Sequence, residues 1–142
     1  YLLDTTVLSE LVKPRPDDRV RKWIGVQRPL DLGLSVLSLG EVEQGIARLP
    51  AGARRAALSR WARVELPAQF IGRLFDVAAT VAVAWGALSA QARLDGRPLP
   101  VMDGLLLATA QVNALTFVTR NLADCAQRGV SVYDPGSDVL LD

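Results

Sequence analysis

The chain contains no histidine. That absence removes Ser-His-Asp and Cys-His triads, imidazole metal sites and histidine-based acid–base chemistry in one step. A single cysteine, Cys125, excludes an intrachain disulfide and fits a reducing compartment, where it reads as a small buried apolar side chain. Lysine occurs only at positions 13 and 22. Long hydrophobic runs are missing too. The longest uncharged stretches, 77–92 and 104–119, carry Thr, Gln, Gly or Asn and fall short of the ~18 apolar residues that a membrane span needs. The apolar opening meets Asp4 before any signal-peptide core is reached. These shortages predict a soluble, cytoplasmic protein with no membrane attachment. What they leave for chemistry is carboxylates, hydroxyls and arginine, a set that suits a hard divalent cation bound through oxygen.

With 142 residues, half of them apolar, the chain is expected to form a single domain over 1–142 with a core of its own. The formal net charge is only +1, but it is unevenly spread: residues 44–102 hold eight Arg against Glu65, Asp76 and Asp95. Arg54 and Arg55 of that segment are candidates for contact with a substrate or partner, the alternative being a solvated face.

The organising stretch is YLLDTT at the start, an apolar run stopped by Asp4 and followed by Thr5 and Thr6. It reads as a buried strand whose carboxyl end delivers a polar group to a crevice. A short helix over VLSELV, capped by Thr5 or Thr6, should end at Pro14-Arg15-Pro16. Asp17 and Asp18 open a second helix with Val20, Trp23 and Ile24 inward. A strand over 32–37 runs into Ser38-Leu39-Gly40-Glu41, a capping box that puts Glu41 in the first turn of a helix over 39–49. An amphipathic helix over 53–65, with Leu58, Trp61 and Val64 on its apolar side, is followed by a further helix or turn from Pro67. A very short strand near Phe75 and Asp76, a long helix over 77–94, and a helix opened by Asp103 come next. The run LTFVT predicts another buried strand, followed by a helix within TRNLADCAQRG and a last strand in VSVYDP, with a short acidic tail. Strands separated by helices, without hairpin signals, imply an α/β fold with a mainly parallel sheet.

On this frame Asp4 and Asn121 follow strand ends, while Glu41 and Asp103 begin helices leaving the same sheet edge. Carboxylates brought together there repel one another, and a divalent cation is the natural compensation. Such a site can position a phosphodiester and activate water. Each residue also has a local reading. Glu41 can be a capping-box partner, Asp103 a helix N-terminal acid, and Asn121 with Asp124 an Asx-turn and helix cap. Asp4, ending a buried strand near the sheet centre, needs a partner on any reading.

The segments LLDTT with VLSEL, SLGEVEQGI, MDGLLLATA and LTFVTRN, in this order across essentially the whole chain, resemble the PIN domain, and specifically the VapC-type toxin ribonucleases of bacterial toxin–antitoxin pairs. The resemblance implies a three-layer α/β/α sandwich, Mg²⁺- or Mn²⁺-dependent cleavage of RNA, homodimers, and inhibition by a cognate antitoxin that also binds operator DNA. It implies metal-holding and catalytic roles for Asp4, Glu41 and Asp103, with the residue after Thr119-Arg120, Asn121, at the fourth position and Thr6 and Thr119 in support. Two positions depart from the pattern. Thr6 stands where the family usually has Asn, and Asn121 stands where an acid is common, so a neutral amide replaces a charge; either Asp124, one turn on, substitutes as a catalytic acid or the site runs on three carboxylates. Two rival readings remain. A non-catalytic PIN-like module would bind RNA or protein without cutting. A phospho-accepting receiver domain would need an acidic pair beside the first carboxylate and a lysine near a late strand, and neither Lys13 nor Lys22 is so placed.

Overall fold

The computed structural model describes all 142 residues. Its frame is a six-stranded sheet in the order β3-β2-β1-β4-β5-β6, with β1 at Leu2–Leu3, β2 at Gly33–Ser35, β3 at Leu74–Phe75, β4 at Phe117–Val118, β5 at Val132–Asp134 and β6 at Val139–Leu141. The first five strands are parallel. β1 lies between β2 and β4, so Leu2 is opposite both Gly33 and Phe117, and Leu3 opposite Leu34 and Val118. Side chains alternate across a strand, which sends neighbours to opposite faces. Leu3, Leu34 and Val118 accordingly join Val7, Leu8, Val20, Leu66 and Phe70 in one core, while Leu2 and Phe117 join Leu106, Leu107, Cys125 and Val132 in the other. Each fully buried Leu or Phe in these layers contributes about 1.5–3 kcal/mol of transfer free energy.

The helices cover both faces, giving the expected α/β/α sandwich. They are α1 (Thr5–Leu8, extended by a 3₁₀ turn at Ser9–Leu11), α2 (Asp18–Val26), α3 (Val36–Ala47), α4 (Ala53–Arg60), α5 (Leu66–Gln69), α6 (Ala79–Leu94), α7 (Val101–Val112) and α8 (Leu122–Cys125). None is long and apolar enough to cross a membrane. Cys125 is buried, as its isolation in the sequence suggests.

Four local expectations are corrected. First, α1 is capped by Asp4 itself, whose Oδ1 accepts the Thr5 N–H at 2.8 Å, and not by Thr5 or Thr6. Second, α3 begins two residues before the Ser38–Glu41 box. The last residue of β2, Ser35, is its N-cap and accepts the Leu37 N–H at 3.1 Å, so Ser38 is buried inside the helix and Glu41 lies in the second turn. The strand thus ends as soon as its ladder to β3 ends at Ser35. Third, α4 does not stop before Pro67 but continues through a π-helical stretch, Trp61–Glu65, into α5. Proline has no N–H to give and crowds the preceding turn, and a widened turn accommodates both. The wider turn rotates the apolar face, leaving Val64 exposed and burying Leu66 instead. Fourth, the strand in VSVYDP is not the last one. β6 pairs antiparallel with β5 around Asp134, whose Oδ1 accepts the Gly136 N–H at 2.8 Å in an Asx-turn.

Candidate active site

The carboxyl ends of β1 and β4, adjacent in the sheet, build the centre of the site. Asp4 is only 5% exposed. Its Oδ2 accepts from Thr6 Oγ1 and from Thr119 Oγ1, both at 2.7 Å, while Oδ1 accepts from the Thr5 N–H at 2.8 Å and lies 3.3 Å from Thr5 Oγ1. The buried carboxylate is therefore paid for by hydroxyls and one amide, with no basic side chain among its partners. Thr119 Oγ1 also accepts the Asn121 N–H at 3.0 Å, and Thr6 Oγ1 accepts the Arg120 N–H at 3.1 Å. These bonds lock the turn after β4 onto the start of α1.

Glu41 and Asp103 reach the same region from α3 and α7, and both are partly exposed. Thr5 Oγ1 stands 3.4 Å from Glu41 Oε1 as well as 3.3 Å from Asp4, so one hydroxyl bridges two carboxyls. Burial raises the Glu41 carboxyl above the ordinary range; the charges of Asp4 and Asp103 add to the rise and the Thr5 bond opposes it. Burial likewise raises Asp103, with Asp4 and Asp124 contributing. The thiol of Cys125 registers the same environment, pushed up to about 12 by burial and then by Asp103, Asp4 and Asp124. At that value it is inert as a nucleophile.

Asn121 joins the group through its side chain: Nδ2 donates to Asp124 Oδ2 at 3.0 Å and lies 3.4 Å from Asp103 Oδ2. Asn121 stands at the N-cap position of α8 but makes no side-chain cap bond, so neither half of the Asx-turn and helix-cap reading is seen there. The structure thus brings together Asp4, Thr6, Glu41, Asp103, Thr119, Asn121 and Asp124. Arg54 is on the wall of a cleft of about 290 Å³ that also includes Thr5, Glu41, Val42 and Trp61. Arg55 does not line that cleft and instead lies in the field of Glu43.

Whether these residues fit a cation is a matter of donor chemistry. All the donors are oxygens, and Glu41 and Asp103 are raised first by burial and then by neighbouring carboxylates, whose repulsion a cation relieves. No three acidic side chains stand close enough to chelate one ion directly. Mg²⁺ does not require that, because it dehydrates reluctantly and is commonly held by one or two carboxylates with waters completing its shell. Asp4 with Glu41 or Asp103 fits that description.

Residues 1–123 match the family model described as PIN domain. The chain belongs to the PIN-domain family. Toxin FitB of Neisseria gonorrhoeae (strain ATCC 700825 / FA 1090) is 30% identical over 137 residues, which cover 96% of this chain and 99% of FitB. VapC ribonuclease Y4jK of Sinorhizobium fredii (strain NBRC 101917 / NGR234) is 31% identical over 134 residues, covering 94% and 96%. In the solved structure of FitAB bound to an IR36 DNA fragment, one chain superposes with a TM-score of 0.90 at 29% identity, covering 95% of this chain and 94% of that one. Asp4, Glu41, Asp103 and Asn121 fall inside the matched PIN-domain region, and Asp124 is the first residue beyond it.

Two residues of this PIN domain escaped the sequence reading. Thr5 was taken only as a cap, whereas its hydroxyl bridges Asp4 and Glu41. Glu10 is 1% exposed in the helical turn after α1. A lone acid inside the apolar run VLSELV was the available signal, but its partners lie elsewhere in the chain.

Proposed function

We propose that this PIN domain is the toxin of a type II toxin–antitoxin pair and hydrolyses RNA phosphodiester bonds in a Mg²⁺- or Mn²⁺-dependent reaction. The observation that carries the proposal is the meeting of Asp4, Glu41 and Asp103 at one sheet edge, with Glu41 and Asp103 both held above the ordinary carboxyl range. Relatives named as a toxin and as a ribonuclease, matched over nearly their full length, support the same reading. When bound, the cation supplies charge neutralisation and Lewis acidity for attack of water on phosphorus.

The chain's own residues do the rest. Asp4, fixed by Thr5, Thr6 and Thr119, keeps one orientation and would be the main residue to hold the ion. Asp103, contacted by the Asn121 amide that also reaches Asp124, would help to hold it. Glu41, raised in pKa and bordering the cleft, takes a proton from the attacking water. The water oxygen bonds to phosphorus, the bond to the leaving ribose oxygen breaks, that oxygen takes a proton from solvent, and Glu41 returns its own proton to solvent. Partners on this reading are an RNA substrate, a cognate antitoxin that carries the pair to operator DNA, and a second copy of the chain in a homodimer, all in the cytoplasm.

The test is cleavage of RNA by purified protein with Mg²⁺ or Mn²⁺, with excess chelator, and with Asp4→Asn, Glu41→Gln and Asp103→Asn. Cleavage should require the ion and be lost in each variant. Undiminished cleavage in chelator would overturn the metal requirement. RNA binding without any cleavage would establish the non-catalytic module instead.

A further inference from the structure

An arginine beside a cluster that handles phosphodiesters invites assignment as a phosphate ligand, and Arg120 sits directly between Thr119 and Asn121. Its guanidinium is engaged elsewhere. Nη1 donates to Glu10 Oε1 at 2.8 Å and Nη2 to Asp17 Oδ2 at 3.1 Å. Glu10 is buried and also accepts from Lys13 and, through Oε2, from the Asp17 N–H at 2.8 Å. Burial alone would raise the Glu10 carboxyl, but the bonds from Lys13, Asp17 and Arg120 with the Lys13 charge outweigh it and hold the carboxyl below the ordinary range. On the other side the β5–β6 turn closes over the arginine: a Cβ on Gly136 would stand 3.4 Å from Arg120 Nε and Nη2. Arg19 Nη1 donates to the Gly136 carbonyl at 3.1 Å, holding that turn in place.

We propose that Arg120 is a positioning residue, pinned by the buried Glu10, and that this pair sets where Thr119 and Asn121 stand against Asp4 and Asp103. The inference rests on the cation-dependent hydrolysis proposed above. Residues 119 to 121 all contribute to the site: Thr119 Oγ1 contacts Asp4, the Arg120 N–H contacts Thr6, and Asn121 Nδ2 reaches towards Asp103 and Asp124. These contacts leave one turn of chain, and the outward-facing side chain of that turn is the only long one in it. A guanidinium held at Nη1 by Glu10 and at Nη2 by Asp17 is fixed in direction as well as distance, which a single hydroxyl contact cannot do. Glu10 belongs to the turn that continues α1, and α1 carries Thr5 and Thr6, so the pair ties the two halves of the site to each other.

The test uses the full chain with Arg120→Gln, Glu10→Gln, the double variant, and Arg120→Lys as the conservative replacement. Four quantities are measured: protection of the Arg120 and Asn121 amides from hydrogen exchange without added metal, Mn²⁺ affinity by electron paramagnetic resonance, kcat and KM on a single-stranded RNA that the wild type cuts, and the salt dependence of RNA binding. Each glutamine variant should lose protection at those two amides, weaken Mn²⁺ binding and lower kcat by about 10-fold or more, with KM and the salt slope unchanged. At the two amides the double variant should be no worse than the more severe single, because there both residues act through the contact they share. Arg120→Lys should recover part of the loss. A raised KM and a smaller salt slope with Mn²⁺ affinity intact would make Arg120 a phosphate ligand and overturn the proposal. Intact amide protection would overturn it as well. A wild type that neither binds Mn²⁺ nor cuts RNA would sink the hydrolase reading alone, and the amide protection would still decide the role of the pair.

Discussion

Thr119 donates its hydroxyl to Asp4 Oδ2 at 2.7 Å, across 115 residues of sequence and one step of the sheet. Both residues follow strands that pair in parallel, Leu3 against Val118, so the fold itself sets the contact. Thr119→Val keeps the shape of the side chain and removes the donor from a fully buried position. It should cost about 1–3 kcal/mol, the penalty for leaving a charged acceptor short of a partner. Urea denaturation of Thr119→Val beside Thr119→Ser checks this, and equal losses in both variants would move the effect from the hydroxyl to packing.

Glu41 and Asp103 give the protein a specific pH response. Their carboxyls are raised in the folded state, so in the interval just above the ordinary carboxylate range the folded chain binds more protons than the unfolded one. Stability without metal should therefore fall as pH rises through that interval, and Glu41→Gln or Asp103→Asn should flatten the slope. Glu10, held below the ordinary range, acts in a different window: its contribution is present above the ordinary range and is lost as pH falls below it. Melting curves from pH 7 downward, with each variant subtracted from wild type, separate the two effects. A difference curve with no slope would show that the two carboxyls are not raised in the folded protein.

How far the site was legible depends on how local its causes are. Asp4 could be read because a buried apolar run has to end, and a carboxylate at its end is conspicuous. Asp103 could be read because it does sit in the first turn of α7, although that helix starts two residues earlier. Glu41 was singled out for a local reason the structure does not support, since Ser35 and not Ser38 caps α3. The long-range resemblance of four ordered segments also points to it, and the structure sets it 3.4 Å from the Thr5 hydroxyl that lies 3.3 Å from Asp4. Glu10 stayed hidden because its partners lie 3, 7 and 110 residues away, and only the last of them, Arg120, links it to the site. β6 was missed because a three-residue strand with an exposed Leu140 gives almost no periodic signal.

Gly104 follows Asp103 and has no room for a side chain: a Cβ there would stand 2.9 Å from Trp85 Cδ1 and 3.1 Å from Nε1. α6 thus approaches α7 through an indole laid over the glycine next to a site carboxylate. Alanine gains up to about 1 kcal/mol over glycine in helix propensity. Forcing a methyl against a large ring on a packed helix costs about 1–3 kcal/mol. Gly104→Ala should therefore lower stability on balance and shift the Trp85 emission. A stabilised protein with unchanged fluorescence would mean that α6 gives way freely.

Asn121 is the position at which this chain differs most in charge from the pattern it resembles, and its geometry makes the consequence of restoring an acid specific. Its amide donates to Asp124 at 3.0 Å and lies 3.4 Å from Asp103, acting as a neutral spacer between two carboxylates. Asn121→Asp is almost isosteric, but it removes both donated contacts and adds a third like charge in their place. Without metal the variant should be less stable than wild type at pH 7 and recover as pH falls, because protonating one member of the cluster relieves the repulsion. With Mn²⁺ the order should reverse, since an added carboxylate beside Asp103 strengthens an oxygen site for a hard cation. The stabilisation by ligand grows as RT ln(1 + [L]/Kd), so the rise in Tm with Mn²⁺ should be steeper for the variant than for wild type. Asp124→Asn is the companion. If Asp124 acts through the ion or its waters, its loss should lower Mn²⁺ affinity, whereas a residue that merely supports the first turn of α8 would change stability and leave the titration untouched. A Mn²⁺ titration of the three proteins followed by melting decides between these outcomes, and an Asn121→Asp protein that binds Mn²⁺ no better than wild type would remove position 121 from the ion's surroundings.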